Sequence, residues 1–152
     1  MKSELKRVLL AEDSAKDVEL TLEALSEDRL ANEVVVTRDG AEAWDYLTCR
    51  GKFASRAPGN PAVVLLDLKM PKMDGLEVLR CMRADANLRT VPVVMLTSSS
   101  EERDVVMSYQ LGVNAYVVKP VAFGDFIAAV KSLGLFWAVV NQPPPGSVQK
   151  AA

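Results

Sequence analysis

Histidine does not occur anywhere in the 152 residues. Its absence excludes zinc-protease motifs, Ser-His-Asp triads and imidazole proton shuttles, and it excludes this chain as a phosphohistidine carrier. Cysteine occurs only as Cys49 and Cys81, without the paired spacing of a zinc or redox motif. Both are expected to be buried small residues in a reducing cytoplasm. No apolar run approaches the roughly 18 residues of a membrane span. The first such run, residues 8–11, is stopped by Glu12 and Asp13, too early for a secretory leader. A net charge of −2 argues against a protein built to grip nucleic acid. Acid–base or phosphoryl chemistry is thereby left to carboxylates, lysines, hydroxyls or a bound metal.

What is present is an ordinary globular mixture, 49% apolar and 25% charged, long enough for one domain with its own core. Val- and Leu-rich runs at Val8–Ala11, Val63–Leu66, 91–96 and Ala115–Val118, with a shorter one at 34–36, read as buried strands. Their continuous hydrophobicity predicts a sheet covered on both faces, hence parallel. Helices fall between them. Ser14 with Asp17 is a start signal, followed by Val18, Leu22 and Leu25 at helical spacing. Asp39-Gly40 opens a second helix through Leu47, and Asp74-Gly75 a third with Leu76, Leu79 and Met82 on one face. Ser100 begins a fourth that Gly112 closes, and a fifth covers about residues 122–135, burying Phe126, Val130 and Leu133. Five strands alternating with five helices predict an α/β, doubly wound parallel sheet. The domain is expected to span residues 1–141, with a Pro-rich, mobile tail over 142–152.

Polar residues stand directly after four of the strands: Glu12-Asp13, Asp67, Thr97 and Lys119. In a parallel sheet they converge on the carboxyl edge, where such folds bind ligands. Each alone reads as a solvated strand end, but four complementary groups together read as a site. Like charges about 4 Å apart repel by on the order of 4 kcal/mol at an effective dielectric near 20, so clustered carboxylates call for raised pKa values or a cation. Few protein oxygens with room for water and phosphate suit Mg²⁺. Carboxylate, Mg²⁺, hydroxyl and ammonium together make a phosphoryl-transfer site.

These residues carry a resemblance. Leu9-Leu10-Ala11-Glu12-Asp13, the stretch from Leu65-Leu66-Asp67 through Lys69-Met70-Pro71 to Met73-Asp74-Gly75, Met95-Leu96-Thr97-Ser98, and Tyr116-Val117-Val118-Lys119-Pro120 resemble the receiver domains of two-component response regulators, over about residues 6–135. Thr97 stands thirty positions after Asp67, and Lys119 twenty-two after Thr97, as in that family. The resemblance implies a flavodoxin-like strand order 2-1-3-4-5, with Asp67 as phosphoacceptor. It implies that Asp13 ligates Mg²⁺ directly, Glu12 through water, and Lys69 through its main-chain carbonyl, while Thr97 and Lys119 hold the phosphate. Tyr116 matches the switch aromatic, and the bond before Pro120 is expected to be cis. Such a protein is a switch rather than an enzyme, phosphorylated by a sensor histidine kinase and signalling to a downstream protein.

The span from Asp13 to Asp67 is longer than in a typical receiver, the excess falling in residues 51–61. With Phe136-Trp137 after the last helix, this resembles single-domain regulators paired with bacterial and cyanobacterial phytochromes. The residues after Leu135 are too few for a DNA-binding output domain, so a stand-alone receiver is expected. The apolar run 135–140 reads as an interface, with a homodimer through Phe136 and Trp137 as its symmetric solution; folding back onto its own domain is the other reading. Trp44, Met70, Met73 and Met82 read as packing, and Asp74 as a helix cap. Two other functions fit these residues less well. A dehalogenase-type phosphohydrolase needs an acid two residues after its nucleophile, where Lys69 stands. A phosphorylation-independent interaction module would have no use for Asp67, Thr97 and Lys119 together.

Overall fold

The chain forms an α/β fold around a parallel sheet, and the computed structural model describes residues 7–27, 34–97 and 102–118 of it. Strands β1 (Val8–Ala11), β2 (Val34–Thr37), β3 (Val63–Leu66), β4 (Val93–Thr97) and β5 (Ala115–Val118) pair in the order β2-β1-β3-β4-β5. The four pairings are parallel, with Ala11 opposite Leu66 and Leu66 opposite Met95. Helices α1 (Ala15–Glu27), α2 (Gly40–Leu47), α3 (Gly75–Ala84) and α4 (Glu102–Gln110) connect them. The expected fifth helix, the tail 142–152 and the Ser100 start of α4 lie outside the described residues.

Strand alternation divides the core in two. Leu9, Ala11, Val64, Leu66, Val93 and Met95 pack against Ala43, Tyr46 and Leu47 of α2 and Val78, Leu79 and Met82 of α3. Val8, Leu10, Val63, Leu65, Val94 and Leu96 face the other way, against Val18 of α1. Both sheet faces are thus covered, which is why the strands carry unbroken apolar runs.

The helix starts are capped as their sequences suggest. Ser14 Oγ accepts from Asp17 N–H at 3.3 Å, Asp39 Oδ1 from Glu42 N–H at 2.7 Å, and Asp74 Oδ1 from Glu77 N–H at 2.9 Å. Helix α4 ends in a left-handed glycine, Gly112 at φ +89°. Its N–H donates to Tyr109 O at 3.1 Å and that of Val113 to Ser108 O at 3.0 Å, which closes the helix. Beside this turn the half-buried Arg83 guanidinium donates to the carbonyls of Gly112, Arg89 and Val91 and to Asn114 Oδ1. Burial lowers its pKa from the usual arginine value, and four oxygens compensate the charge.

The long connection before β3 is docked rather than loose. A 3₁₀ turn at Gly51–Phe53 sets Phe53 edge-on to Tyr46, centroids 5.1 Å apart. The Arg56 guanidinium lies 4.1 Å over the same ring, and its Nε donates to Tyr46 O at 2.7 Å. Arg7, just before β1, reaches the Tyr46 hydroxyl at 3.2 Å. This insert occupies the amino-terminal rim of the sheet, remote from the strand ends where Asp67 lies.

The cysteines depart from expectation: both are half-buried, not buried. Cys49 follows the end of α2 with φ +56°, a left-handed residue that turns the chain outward. Cys81 lies on α3 with its thiol 3.8 Å from Glu77 Oε2. Burial, and then the Glu77 carboxylate, push that thiol's pKa up.

Candidate functional site

The register of β1 and β3 builds the site. Because Ala11 lies opposite Leu66, the next residues, Glu12 and Asp67, leave the sheet side by side. Asp67 N–H donates to Ala11 O at 3.0 Å and Glu12 N–H to Thr37 O at 2.9 Å, so both backbones are fixed at the point where the side chains emerge. One carboxylate oxygen from each of Glu12, Asp13 and Asp67 lies within 4.8 Å of the others. Glu12 is 2% and Asp67 7% exposed, whereas Asp13 is open to solvent. Glu12 Oε2 accepts from Ser14 N–H at 3.2 Å, which fixes that carboxylate against the start of α1.

At such separations each ionised pair repels by about 3.5 kcal/mol at an effective dielectric of 20. A divalent cation removes that cost. The donor set is all oxygen, anionic and open on the Asp13 side, which fits a hard cation that keeps several waters.

Residues after Asp67 form a braced loop. Leu68 and Met70 are buried and hold the chain at alternate positions, leaving the Lys69 side chain outside. Met73 N–H donates to Pro71 O at 2.7 Å with Lys72 at φ +69°, a γ-turn that few non-glycine residues adopt. The loop then enters α3, and Gly75 N–H donates to Leu68 O at 2.8 Å. Two lysines tie the loop to the helices beside it. Lys69 Nζ lies 3.9 Å from Asp104 Oδ2 in the first turn of α4, and Lys72 Nζ 3.6 Å from Asp39 Oδ2 at the cap of α2. Neither tie was anticipated, since nothing local marks Asp39 or Asp104 as a partner of this loop.

Of the other candidate residues, Thr97 ends β4 on the same edge, opposite Val118, and Tyr116 sits in β5 opposite Met95. Lys119 follows β5 directly. Lys119, Pro120, Phe136 and Trp137 lie outside the described residues, as do Ser98 and Ser99. Asp74 caps α3, and Met70, Met73 and Met82 pack in or against the core. Among the described residues no helix is long and apolar enough to cross a membrane.

Comparison with known proteins gives a consistent result. The family described as response regulator receiver domain matches residues 8–131. Response regulator Rcp1 of Synechocystis sp. (strain ATCC 27184 / PCC 6803 / Kazusa) is 38% identical over 132 residues, 87% of this chain and 88% of that one. The Mn(2+)-bound form of Rcp1 superposes with a TM-score of 0.86, at 37% identity over 91% of this chain and 99% of that one. The phosphorylated cyanobacterial phytochrome response regulator RcpA also gives 0.86, at 38% identity over 92% and 99% of the two chains. The bacteriophytochrome response regulator RtBRR is 64% identical over 94% of this chain and 86% of that one, with a TM-score of 0.74.

Proposed function

This chain belongs to the response regulator receiver domain family, related to the phytochrome-associated regulators, and on that premise we propose that it is a phosphorylation switch with Asp67 as acceptor. The observation that carries the reading is the convergence of Glu12, Asp13 and Asp67 within 4.8 Å, with Asp67 in the floor of the group. A sensor histidine kinase presents a phosphohistidine. An Asp67 oxygen attacks phosphorus, an O–P bond forms, and the P–N bond to the donor imidazole breaks. Asp13, Asp67 and the Lys69 main-chain carbonyl would hold Mg²⁺, with Glu12 acting through water, and the ion would supply neutralisation of charge on the transferring group. Thr97 and Lys119 hold the phosphoryl oxygens, and Tyr116 follows Thr97 as the switch aromatic. A cis bond before Pro120, which the receiver resemblance implies, would orient Lys119.

Relatives named for phytochromes support a phytochrome-type kinase as partner, acting with this protein in the cytoplasm. These relatives are matched along 86–99% of their own lengths, which supports a single receiver domain over 1–141 whose output is another protein or a change of assembly. Incubation with acetyl phosphate and Mg²⁺ is expected to add one phosphoryl mass. No gain in mass would remove the switch reading.

Two predictions follow from the proposed roles. Glu12→Gln is expected to weaken Mg²⁺ binding about tenfold, as loss of an outer partner does, and Asp13→Asn by more. Calorimetric titration giving the opposite order would refute the assigned roles. The second concerns assembly through Phe136 and Trp137 as a homodimer. Phe136→Ala with Trp137→Ala should shift a micromolar dimer to monomer while Mg²⁺ binding survives. Sedimentation equilibrium decides this, and a double variant as dimeric as the parent would place the interface elsewhere.

A further inference from the structure

The two lysine ties of the loop after Asp67 differ in a way that bears on signalling. The Lys72 side chain is 70% exposed, its backbone forms the centre of the γ-turn, and its partner Asp39 caps α2, so that tie leads away from α4. The Lys69 backbone is held between buried Leu68 and Met70, and its side chain is 67% exposed. Its partner Asp104 is the opposite case, a carboxylate whose side chain is only 9% exposed and which sits in the first turn of α4. At 3.9 Å the contact is a charge pair, not a tight hydrogen bond. An exposed cation therefore spans the gap between the acceptor loop and a helix that carries exposed Val106, Met107 and Tyr109.

Two residues of chain span at most about 7 Å, so the long, flexible Lys69 side chain can serve either Asp104 or a group on Asp67. A phosphoryl group there carries roughly two negative charges in place of the carboxylate's one, and offers three strong acceptors. That is a stronger attraction for an ammonium than one carboxylate at 3.9 Å. We infer that Lys69 is a transferable strap: in the unmodified protein it holds the start of α4 through Asp104, and on phosphorylation it moves to the phosphoryl oxygens and releases that helix. The inference rests on the phosphoacceptor reading of Asp67 and adds to it a positioning role for one side chain and a route to α4. Lys72 stands five positions after Asp67 and is tied to α2, so it offers no route to α4.

A double-mutant cycle tests it. Lys69→Met, Asp104→Asn and the pair are compared with the full-length parent by hydrogen exchange over residues 102–110, with and without acetyl phosphate and Mg²⁺. Mass spectrometry of the same samples measures the phosphoryl group. Without phosphate, Lys69→Met is expected to raise α4 exchange roughly threefold, and the pair by less than the product of the two single changes, because both remove the Lys69–Asp104 tie. With phosphate, Lys69→Met should match the parent in α4 exchange, since its tie to Asp104 is already gone. Lys69→Arg should behave as the parent in both states, and Lys72→Met should leave the α4 response unchanged. Lys69–Asp104 coupling that is absent without phosphate, or equally large with it, would overturn the inference. A parent protein that gains no phosphoryl mass would instead overturn the acceptor reading on which it stands.

Discussion

Asp67→Asn is expected to lose the phosphoryl adduct completely, with the gain in mass seen for the parent protein falling to background. The amide has no anionic oxygen to attack phosphorus, and neither neighbouring carboxylate is placed to substitute. Glu12 is fixed by Ser14 N–H, and Asp13 lies at the solvent side of the group. The same change removes one of three anionic oxygens facing the cation. Mg²⁺ at a hundredfold excess over its dissociation constant stabilises a protein by about 2.7 kcal/mol. Most of the resulting rise in Tm should therefore vanish in the variant. An adduct of undiminished amount in Asp67→Asn would move the acceptor to another residue.

Gly40→Ala should produce the largest loss of stability. On an exposed helix the exchange of glycine for alanine is favourable by up to about 1 kcal/mol. Here an added Cβ would come within 1.6 Å of the Met73 carbonyl oxygen, which is backbone and cannot rotate away. The start of α2 and the loop after Asp67 would have to separate, breaking the Lys72–Asp39 contact with them. Overpacking of this kind costs about 3 kcal/mol, which in a domain this size lowers Tm by roughly 10 °C. Thermal unfolding reads the sign directly: an unchanged or higher Tm would show that no such close approach exists. Gly75 is the parallel case, its Cβ position lying 2.4 Å from the Asp67 carbonyl oxygen.

Glycines at these two helix starts were visible in the sequence as start signals, but not as points of contact. The sequence shows chemistry that is local and periodic. The runs Val8–Ala11, Val63–Leu66 and Ala115–Val118 coincide with β1, β3 and β5 because an aliphatic run between polar residues is both buried and paired. At β4 the two properties separate. Val91 is fully buried, yet pairing begins at Val93, after Pro92, which has no N–H to give. At β2 the polar Thr37 closes the strand, its hydroxyl donating to Leu10 O at 3.3 Å, and a search for apolar runs stops one residue short. The three carboxylates could be read from strand ends because parallel pairing brings such ends together. Their unequal exposure could not, since it depends on where α1 begins. Arg83, Asp104 and Lys72 were invisible for the same reason: their partners are supplied by other elements of the fold.

The docked insert and the carboxylate group lie at opposite rims of one sheet, and strands of four residues separate them by about 13 Å. That separation bears on how such a protein can diverge. The entropy of closing a loop grows only with the logarithm of its length, so added residues at the amino-terminal rim cost little, and contacts like those around Tyr46 recover part of it. Substitutions there leave the spacing of Glu12, Asp13 and Asp67 untouched. A lineage can therefore rewrite one end of the molecule, and with it the surface offered to other macromolecules, while inheriting the reaction at the other end unchanged.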